Sequence, residues 1–233
     1  MFKITLSAGH AKTTPGKQTP NGTMKEWEFN AAVVKYLMAE LANYEGVAVL
    51  RLDDSNGKRD IPLQERSDRA NAWGANAHID IHANAFGCTW NDVGGIETYV
   101  YKIKPKEAVA LAKKVQANLI KATGLKDRGV KAADLHMLRE TKMTAILVEC
   151  GFMTNREEAE LLKCDNYRRI VARAILDGLV SQYKLKKKAK PQTKGKSSDG
   201  KLYHVQVGAF ADRKNAERLV EELKKKGYPM IIV

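Results

Sequence analysis

The feature that most constrains the fold is a regular alternation of short apolar strand patterns with amphipathic helix patterns, from residue 2 to about residue 183. A strand pattern at residues 2–7 precedes a helix pattern at residues 26–44, in which apolar side chains recur every three or four positions. Gly46 ends that unit, and residues 47–52 form the next strand pattern. Because strands that alternate with helices pair in parallel, we predict an α/β fold with a mixed, mostly parallel twisted sheet and helices on both faces.

The alternation continues through the rest of this region. Strands are predicted at residues 77–82, 95–101 and 144–149, and helices at residues 62–75, 105–123, 156–163 and 167–183. Residues 135–138 are expected to form a further short strand. Ligands of such sheets bind beyond the carboxyl ends of the strands, so polar side chains at those positions are the first candidates for function.

Three reactive side chains fall at predicted strand ends. His10 follows the first strand, His82 ends the strand at residues 77–82, and Glu149 ends the strand at residues 144–149. A fourth side chain, Glu26, opens the first helix. Two imidazoles and a carboxylate suit a hydrolytic Zn²⁺ site with an open fourth position, and a further carboxylate can handle the protons of a water molecule. The pattern therefore favours zinc-dependent hydrolysis.

Seven short motifs occur in a defined order along residues 2–183. They are Ser7-Ala8-Gly9-His10; Gly22-Thr23-Met24-Lys25-Glu26 with Asn30; Leu63-Gln64-Glu65-Arg66 with Ala70-Asn71; Asp80-Ile81-His82-Ala83-Asn84-Ala85; Gly94-Gly95-Ile96-Glu97-Thr98-Tyr99; Arg128-Gly129-Val130-Lys131; and Val148-Glu149-Cys150-Gly151-Phe152-Met153-Thr154-Asn155. Each motif alone is weak, whereas their joint order is specific. Together they resemble the zinc-dependent N-acetylmuramoyl-L-alanine amidases of the amidase-3 class, which include bacterial autolysins and phage endolysins.

The resemblance implies a catalytic domain at residues 1–183 that cuts the peptidoglycan amide between N-acetylmuramic acid and L-alanine. It implies that His10, Glu26 and His82 are the Zn²⁺ ligands and that Glu149 is the catalytic carboxylate. One departure is that Ala11 follows His10, where the family usually has a glycine pair. We therefore expect the loop after the first strand to have its own shape.

Nearby residues offer alternatives for the metal ligands. Glu28 competes with Glu26, but it points to another side of the helix, and the spacing to Asn30 favours Glu26. His78 shares a strand face with His82, but four residues of strand separate the two by about 13 Å, which is too far for one metal ion. We therefore expect neither Glu28 nor His78 to bind the metal.

Three further residues have competing interpretations. Cys150 adjoins Glu149, but neighbouring side chains of a strand point to opposite faces, so a Glu149 that faces the site places Cys150 in the core. Arg66 either binds an acidic group of the substrate or braces part of the fold. His136 is expected to lie outside the metal's ligand set.

The basic charge of the chain is concentrated near its C-terminal end. Residues 184–233 hold 14 Lys and Arg against 5 Asp and Glu, a net +9 of the chain's +13. Residues 184–201 are rich in Lys with Pro, Gly and Ser, which predicts a flexible linker. Such a charge favours polyanions as partners, namely nucleic acid, anionic lipid or the phosphate-rich polymers of a cell wall, or it only keeps the linker solvated. It lacks the interleaved aromatics or the reading helix expected of a specific nucleic-acid binder.

Residues 202–233 form a second, smaller pattern. Residues 203–210 alternate like a strand, residues 215–226 have helical periodicity, and residues 230–233 begin another strand. This α+β pattern resembles the first half of a SPOR domain, which implies binding to peptidoglycan glycan strands. We expect a partial wall-binding unit after the linker.

Taken together, these patterns predict a monomeric peptidoglycan amidase, with a zinc peptidase or amidohydrolase of other specificity, or a non-catalytic wall-binding protein, as alternatives. A binding protein has no use for Glu149, which argues against the last of these. Residues 1–6 lack the features of a signal peptide, and no apolar run reaches membrane-spanning length. We therefore expect synthesis in the cytoplasm and action on the wall after lysis or non-classical release, as in an endolysin or a sporulation autolysin.

Overall fold

The computed structural model describes residues 1–189 and 212–225. Within these ranges it has six strands and seven helices, in the order β1 (Phe2–Ala8), α1 (Glu26–Leu41), β2 (Val47–Arg51), α2 (Leu63–Trp73), β3 (Ala77–Asn84), β4 (Ile96–Tyr101), α3 (Lys106–Thr123), β5 (Asp127–Ala133), α4 (His136–Arg139), β6 (Thr144–Phe152), α5 (Arg156–Lys163), α6 (Asp165–Tyr183) and α7 (Arg213–Lys225). None of the helices in the described ranges has both the length and the apolar character needed to cross a membrane.

The six strands form one sheet in the order β2-β1-β3-β6-β4-β5. Strand β1 pairs in parallel with β2 and β3, β3 pairs in parallel with β6, and β4 pairs in parallel with β5. Only β4 and β6 run antiparallel to each other. The prediction of a mixed, mostly parallel sheet is confirmed.

Helices cover both faces of the sheet. The main core joins one face to α1, α3 and α6, and it includes Ile146 and Val148 of β6. The alternating residues Ala145 and Leu147 of β6 point the other way, where they pack against Leu138 of α4. This period-two alternation also decides which side chains of each strand reach the core and which reach the opposite layer.

The sequence prediction was wrong in one region. The expected strand at residues 135–138 is instead the short helix α4, which buries Met137 and Leu138 in two small clusters. The strand in this region is β5, which the pattern does not predict. Short apolar runs do not distinguish a helical turn from a strand. Strand β5 lies at the edge of the sheet and has few apolar side chains, so its pairing with β4 defines it rather than its own periodicity.

Two compact units divide the chain at residue 188, namely Met1–Lys188 and Ala189–Val233. Residues 186–188 belong to the first unit through backbone bonds, since Glu45 N donates to Lys186 O at 2.8 Å and Lys188 N donates to Asn43 O at 2.8 Å. The predicted boundary between the catalytic domain and the linker, at residues 183 and 184, stays a prediction. In the second unit, α7 coincides with the helix predicted at residues 215–226, whereas the strands predicted at residues 203–210 and 230–233 lie outside the described residues.

Close contact between α3 and α6 depends on Gly178. A Cβ atom at this buried position would lie 2.6 Å from Val115 Cγ2 and 3.2 Å from Val115 Cα, and the backbone atom cannot rotate away. We expect Gly178→Val to lower the free energy of unfolding by about 1–3 kcal/mol, which is the usual cost of overpacking. Thermal or denaturant unfolding of the full chain measures the loss.

Ser181→Val is the matched control for this prediction, because Ser181 lies exposed in the same helix. Both substitutions place a β-branched residue in α6, and the exchange of Gly for Val gains helix propensity whereas that of Ser for Val hardly changes it, so a lower stability of Gly178→Val reports the packing clash. Equal stabilities of the two variants would contradict the proposed role of the close contact.

Candidate functional site

The sheet register aligns the polar side chains predicted from the sequence. His82 of β3 lies opposite Glu149 of β6, and Glu149 lies opposite Glu97 of β4. The end of β1 pairs with β3, which brings His10, two residues after β1, close to His82. Glu26 is the first residue of α1. Residues that are far apart in the chain therefore meet at one edge of the sheet.

The carboxylate of Glu26 lies between two imidazoles. Its Oε2 is 3.3 Å from His10 Nε2, and its Oε1 is 3.0 Å from His82 Nδ1. One ligand atom from each of the three residues lies within 4.8 Å of the others. Tetrahedral ligands at zinc distances are about 3.3 Å apart, so this set of nitrogen and oxygen atoms fits a zinc ion in both chemistry and spacing.

Glu26 is held in place by one donor from its own helix, α1, and one donor from β3. It is 2 % exposed, and its Oε1 accepts hydrogen bonds from Asn30 Nδ2 and from Ala83 N, both at 3.2 Å. Burial raises the pKa of Glu26, but the hydrogen bond and the charge of His82 outweigh burial and lower it. The carboxylate therefore stays ionised, as a metal ligand must be.

The ring of His82 lies close to the carboxylate of Asp80 and to the backbone of Gly9. Asp80 Oδ2 lies 3.5 Å from His82 Nε2, and Asp80 is 3 % exposed. Burial raises the pKa of Asp80, but the charge of His82 outweighs this effect and lowers that pKa to about 2. A Cβ atom on Gly9 would lie 2.2 Å from His82 Cε1, so only glycine lets the ring approach the backbone there. A carboxylate behind a ligating histidine orients its ring, and the sequence pattern does not single out Asp80 for this role.

Arg66 braces the loop that carries His10. The side chain is 1 % exposed, and its five N–H groups donate to Ile61 O at 2.9 Å, Ser7 Oγ at 2.7 Å, Ala8 O at 2.8 Å, His10 O at 3.3 Å and Asp60 Oδ1 at 3.2 Å. His10 has a left-handed backbone with φ 64°, which is uncommon outside glycine. Of the two interpretations of Arg66, the contacts support bracing, because no donor is left for a substrate.

Glu149 lies beside the three candidate ligands with one buried oxygen unsatisfied. No hydrogen-bond partner for its Oε2 occurs in the described part of the chain. Burial raises the pKa of Glu149 to about 8. The charge of His82 lowers this pKa by a smaller amount, and the charge of Glu26 raises it. Its neighbour Cys150 points into the main core, and burial raises the pKa of that thiol well above its ordinary value. The alternation predicted for this pair is therefore confirmed.

Glu97 is the centre of a polar network next to Glu149. It is 2 % exposed and accepts hydrogen bonds from Asn84 Nδ2 at 2.9 Å, Tyr99 Oη at 2.6 Å, Arg128 Nε at 2.6 Å and Lys131 Nζ at 2.5 Å. Both cations are therefore paired. The motifs contain these residues, but their spacing alone does not indicate that they share one carboxylate.

Two cavities flank His82. One, of about 360 Å³, is lined by Gly9, His10, Asp60, Ile61, Pro62, Leu63, Arg66, Asp80 and His82. The other, of about 320 Å³, is lined by Pro15, Gly16, Lys17, Glu26, His82, Ala83, Asn84, Ala85, Gly87, Glu149 and Met153. A substrate that crosses the candidate metal ligands therefore has space on both sides of them.

The competing residues lie elsewhere. Glu28 is exposed, and its Oε2 accepts a hydrogen bond from Lys25 N at 2.8 Å, which caps α1. His78 is fully buried, with Nδ1 3.1 Å from Thr5 Oγ1. His136 Nε2 lies 3.1 Å from Ser67 Oγ. None of these three belongs to the cluster around Glu26.

Comparison with known families identifies two regions of the chain. The sequence profile of the N-acetylmuramoyl-L-alanine amidase family matches residues 4–181, and that of the SPOR domain matches residues 172–233. The sporulation-specific N-acetylmuramoyl-L-alanine amidase of Bacillus subtilis is 33% identical over 234 residues, which cover 100% of this chain and 85% of that protein. The endolysin of Bacillus phage SPP1 is 35% identical over 212 residues, covering 88% of this chain and 75% of that protein.

Solved structures show the same architecture. The catalytic domain of the N-acetylmuramoyl-L-alanine amidase CwlV from Bacillus (Paenibacillus) polymyxa var. colistinus has a TM-score of 0.73 and 28% identity, covering 80% of this chain and 100% of that one. An N-acetylmuramoyl-L-alanine amidase from Clostridium difficile 630 has a TM-score of 0.74 and 26% identity, covering 78% and 97%. The profile match, the relatives and the shared fold show that this chain belongs to the N-acetylmuramoyl-L-alanine amidase family and carries a SPOR domain match.

Proposed function

We propose that the protein is a zinc-dependent hydrolase that cleaves the peptidoglycan amide between N-acetylmuramic acid and L-alanine. One observation carries the proposal, namely the Glu26 carboxylate held between His10 and His82 with the unsatisfied oxygen of Glu149 beside them. In this proposal His10, Glu26 and His82 hold the metal, and Glu149 is the catalytic carboxylate. The family assignment supports the bond that is cut.

The proposed mechanism assigns proton transfer to Glu149. A zinc ion at this site would lower the pKa of a water molecule to about 7 and polarise the amide carbonyl. Glu149 accepts the proton of the attacking water and donates it to the nitrogen of L-alanine, which then leaves as an amine. Its place in the same cavity as Glu26 and His82 suits this role.

The rival functions differ in their products. A peptidase acting on the stem peptide releases peptide fragments and leaves the muramyl amide intact, whereas a wall-binding protein releases nothing. Mass analysis of digested peptidoglycan distinguishes all three, because an amidase yields free L-alanine amino termini together with unsubstituted N-acetylmuramic acid.

Metal removal tests the role of the cluster around Glu26. We expect a chelator to abolish amide hydrolysis and added Zn²⁺ to restore it, with one zinc ion bound per chain by elemental analysis. The physical reason is that the two imidazoles and the carboxylate supply three of the four ligands of a catalytic zinc site. Full activity in chelated protein that contains no zinc would refute the metal assignment.

Replacement of Glu149 tests the proton-transfer step. Glu149→Gln should retain zinc but lose turnover by about 10²–10⁴-fold, since an amide cannot accept the proton of water. Glu160→Gln is the matched control, because Glu160 is exposed and pairs with Lys163 on the surface of α5. A loss below about tenfold would indicate a different base, and loss of zinc would make Glu149 a ligand instead.

The C-terminal region is proposed to bind the wall without taking part in the chemistry. The SPOR match extends to residue 233, and residues 189–233 hold 10 Lys and Arg against 5 Asp and Glu. Removal after Lys188 keeps the strand-like bonds of residues 186–188 to the first unit. The truncated protein should hydrolyse soluble muropeptides normally but bind intact walls less well.

The charge-dependent part of this binding should fade with salt, since the Debye length falls from about 10 Å at 0.1 M to about 3 Å at 1 M. Pull-down of the full and the truncated protein with purified walls, across a salt series, measures both effects. Equal wall binding by the two proteins at every salt concentration would show that residues 189–233 are not a targeting region.

A further inference from the structure

Lys17 is a basic residue beside the candidate metal ligands, and its ammonium group has no hydrogen-bond or ion-pair partner in the described part of the chain. The side chain is half-buried and lines the cavity that also contains Glu149. Within residues 1–189 and 212–225, its ammonium group makes neither a hydrogen bond nor an ion pair. Its backbone carbonyl accepts a hydrogen bond from Glu26 N at 2.9 Å, which fixes the position of Lys17 next to the candidate metal ligands.

The other basic groups around the site are already engaged. Arg66 uses all of its donors within the protein, and Arg128 and Lys131 both pair with Glu97. Of the two basic residues that line the flanking cavities, Lys17 is therefore the one whose charge remains available to a ligand.

The chemistry of the proposed reaction orients the substrate across the two cavities. The leaving group is the amine of L-alanine, which must receive its proton from Glu149. Glu149 and Lys17 line the same cavity, so the peptide side of the substrate lies there. The opposite cavity presents the carboxylate of Asp60 and the apolar wall at residues 61–63, which suits an uncharged sugar rather than an anion.

The stem peptide of peptidoglycan supplies an anion at a fitting distance. Its L-alanine is followed by D-glutamate, whose γ-carboxyl is joined to the third residue. The α-carboxylate of this D-glutamate is therefore free unless it is amidated. Two residues of extended chain reach about 7 Å from the scissile nitrogen, which stays within the dimensions of a cavity of this size. We propose, on the basis of the amidase function above, that Lys17 binds this α-carboxylate and makes the enzyme prefer stems whose D-glutamate is not amidated.

The test uses two muramyl tripeptides that differ only in the second residue, D-glutamate in one and D-isoglutamine in the other. The unaltered protein should cleave the carboxylate form with a kcat/KM about tenfold higher, as expected for a charge-assisted hydrogen bond. Lys17→Gln should abolish this preference, so that the ratio of kcat/KM for the carboxylate form to that for the amide form falls from about tenfold to about one, mainly through a higher KM for the carboxylate form.

Lys12→Gln is the matched control. Lys12 lies in the same loop, but its ammonium group packs over the ring of Trp27 at 4.8 Å and it lines neither flanking cavity. This variant should keep the preference for the carboxylate form. A third tripeptide, amidated only at the third residue, should be cleaved like the unamidated form, which separates the α-carboxylate from other anions of the stem.

Equal cleavage of the carboxylate and amide forms by the unaltered protein would overturn the proposal. An equal loss on both forms in Lys17→Gln would also overturn it, because that result indicates a general effect on the site. Calorimetric binding of the two tripeptide products, which carry D-glutamate or D-isoglutamine as the second residue, decides the role of Lys17 independently of turnover. If neither muramyl tripeptide is cleaved, the amidase function fails, whereas a Lys17-dependent preference in binding would still support the carboxylate site.

Discussion

The site depends on one buried carboxylate, that of Glu26, placed between two imidazoles. A buried charge is costly unless it is paired and hydrogen-bonded, and every element around Glu26 contributes to that pairing. Asn30 binds it from within α1, Ala83 N binds it from β3, and His10 and His82 approach it from the loop after β1 and from β3. The same three side chains, His10, Glu26 and His82, offer the nitrogen and oxygen atoms that a divalent metal ion would bind.

The register of the sheet supplies the second carboxylate. Because β4 runs antiparallel to β6, Glu97 lies directly opposite Glu149. Two adjacent buried carboxylates repel each other when both are ionised. Arg128 and Lys131 both form ion pairs with Glu97, which stabilises the ionised form of that residue. Glu149 is left with burial as its main environment, which raises its proton affinity. The two neighbouring glutamates therefore differ in role: Glu97 is structural, and Glu149 is proposed to transfer protons.

The two sides of His82 differ in the positive charge that they offer to a ligand. On one side, Arg66 donates hydrogen bonds to Asp60 and to the carbonyl of His10, so that its charge is already paired within the protein. On the other side, Lys17 stands next to Glu149 without a partner in the described structure. An uneven distribution of available charge across a catalytic centre is a physical means of distinguishing the sugar end of a substrate from its peptide end.

The sequence by itself determined the α/β class and most helices and strands, and it identified His10, Glu26, His82 and Glu149 as candidate site residues, because periodicity and short ordered motifs are local properties. It did not determine β5 or α4, whose identity depends on pairing and packing with distant elements. The contacts of Asp80 and Arg66 and the place of Lys17 in a cavity were likewise decided only by the tertiary structure. Arg66 reaches Ser7 and Ala8 across 59 and 58 residues of chain, and no local pattern reports which acceptors a folded chain will bring to a buried guanidinium.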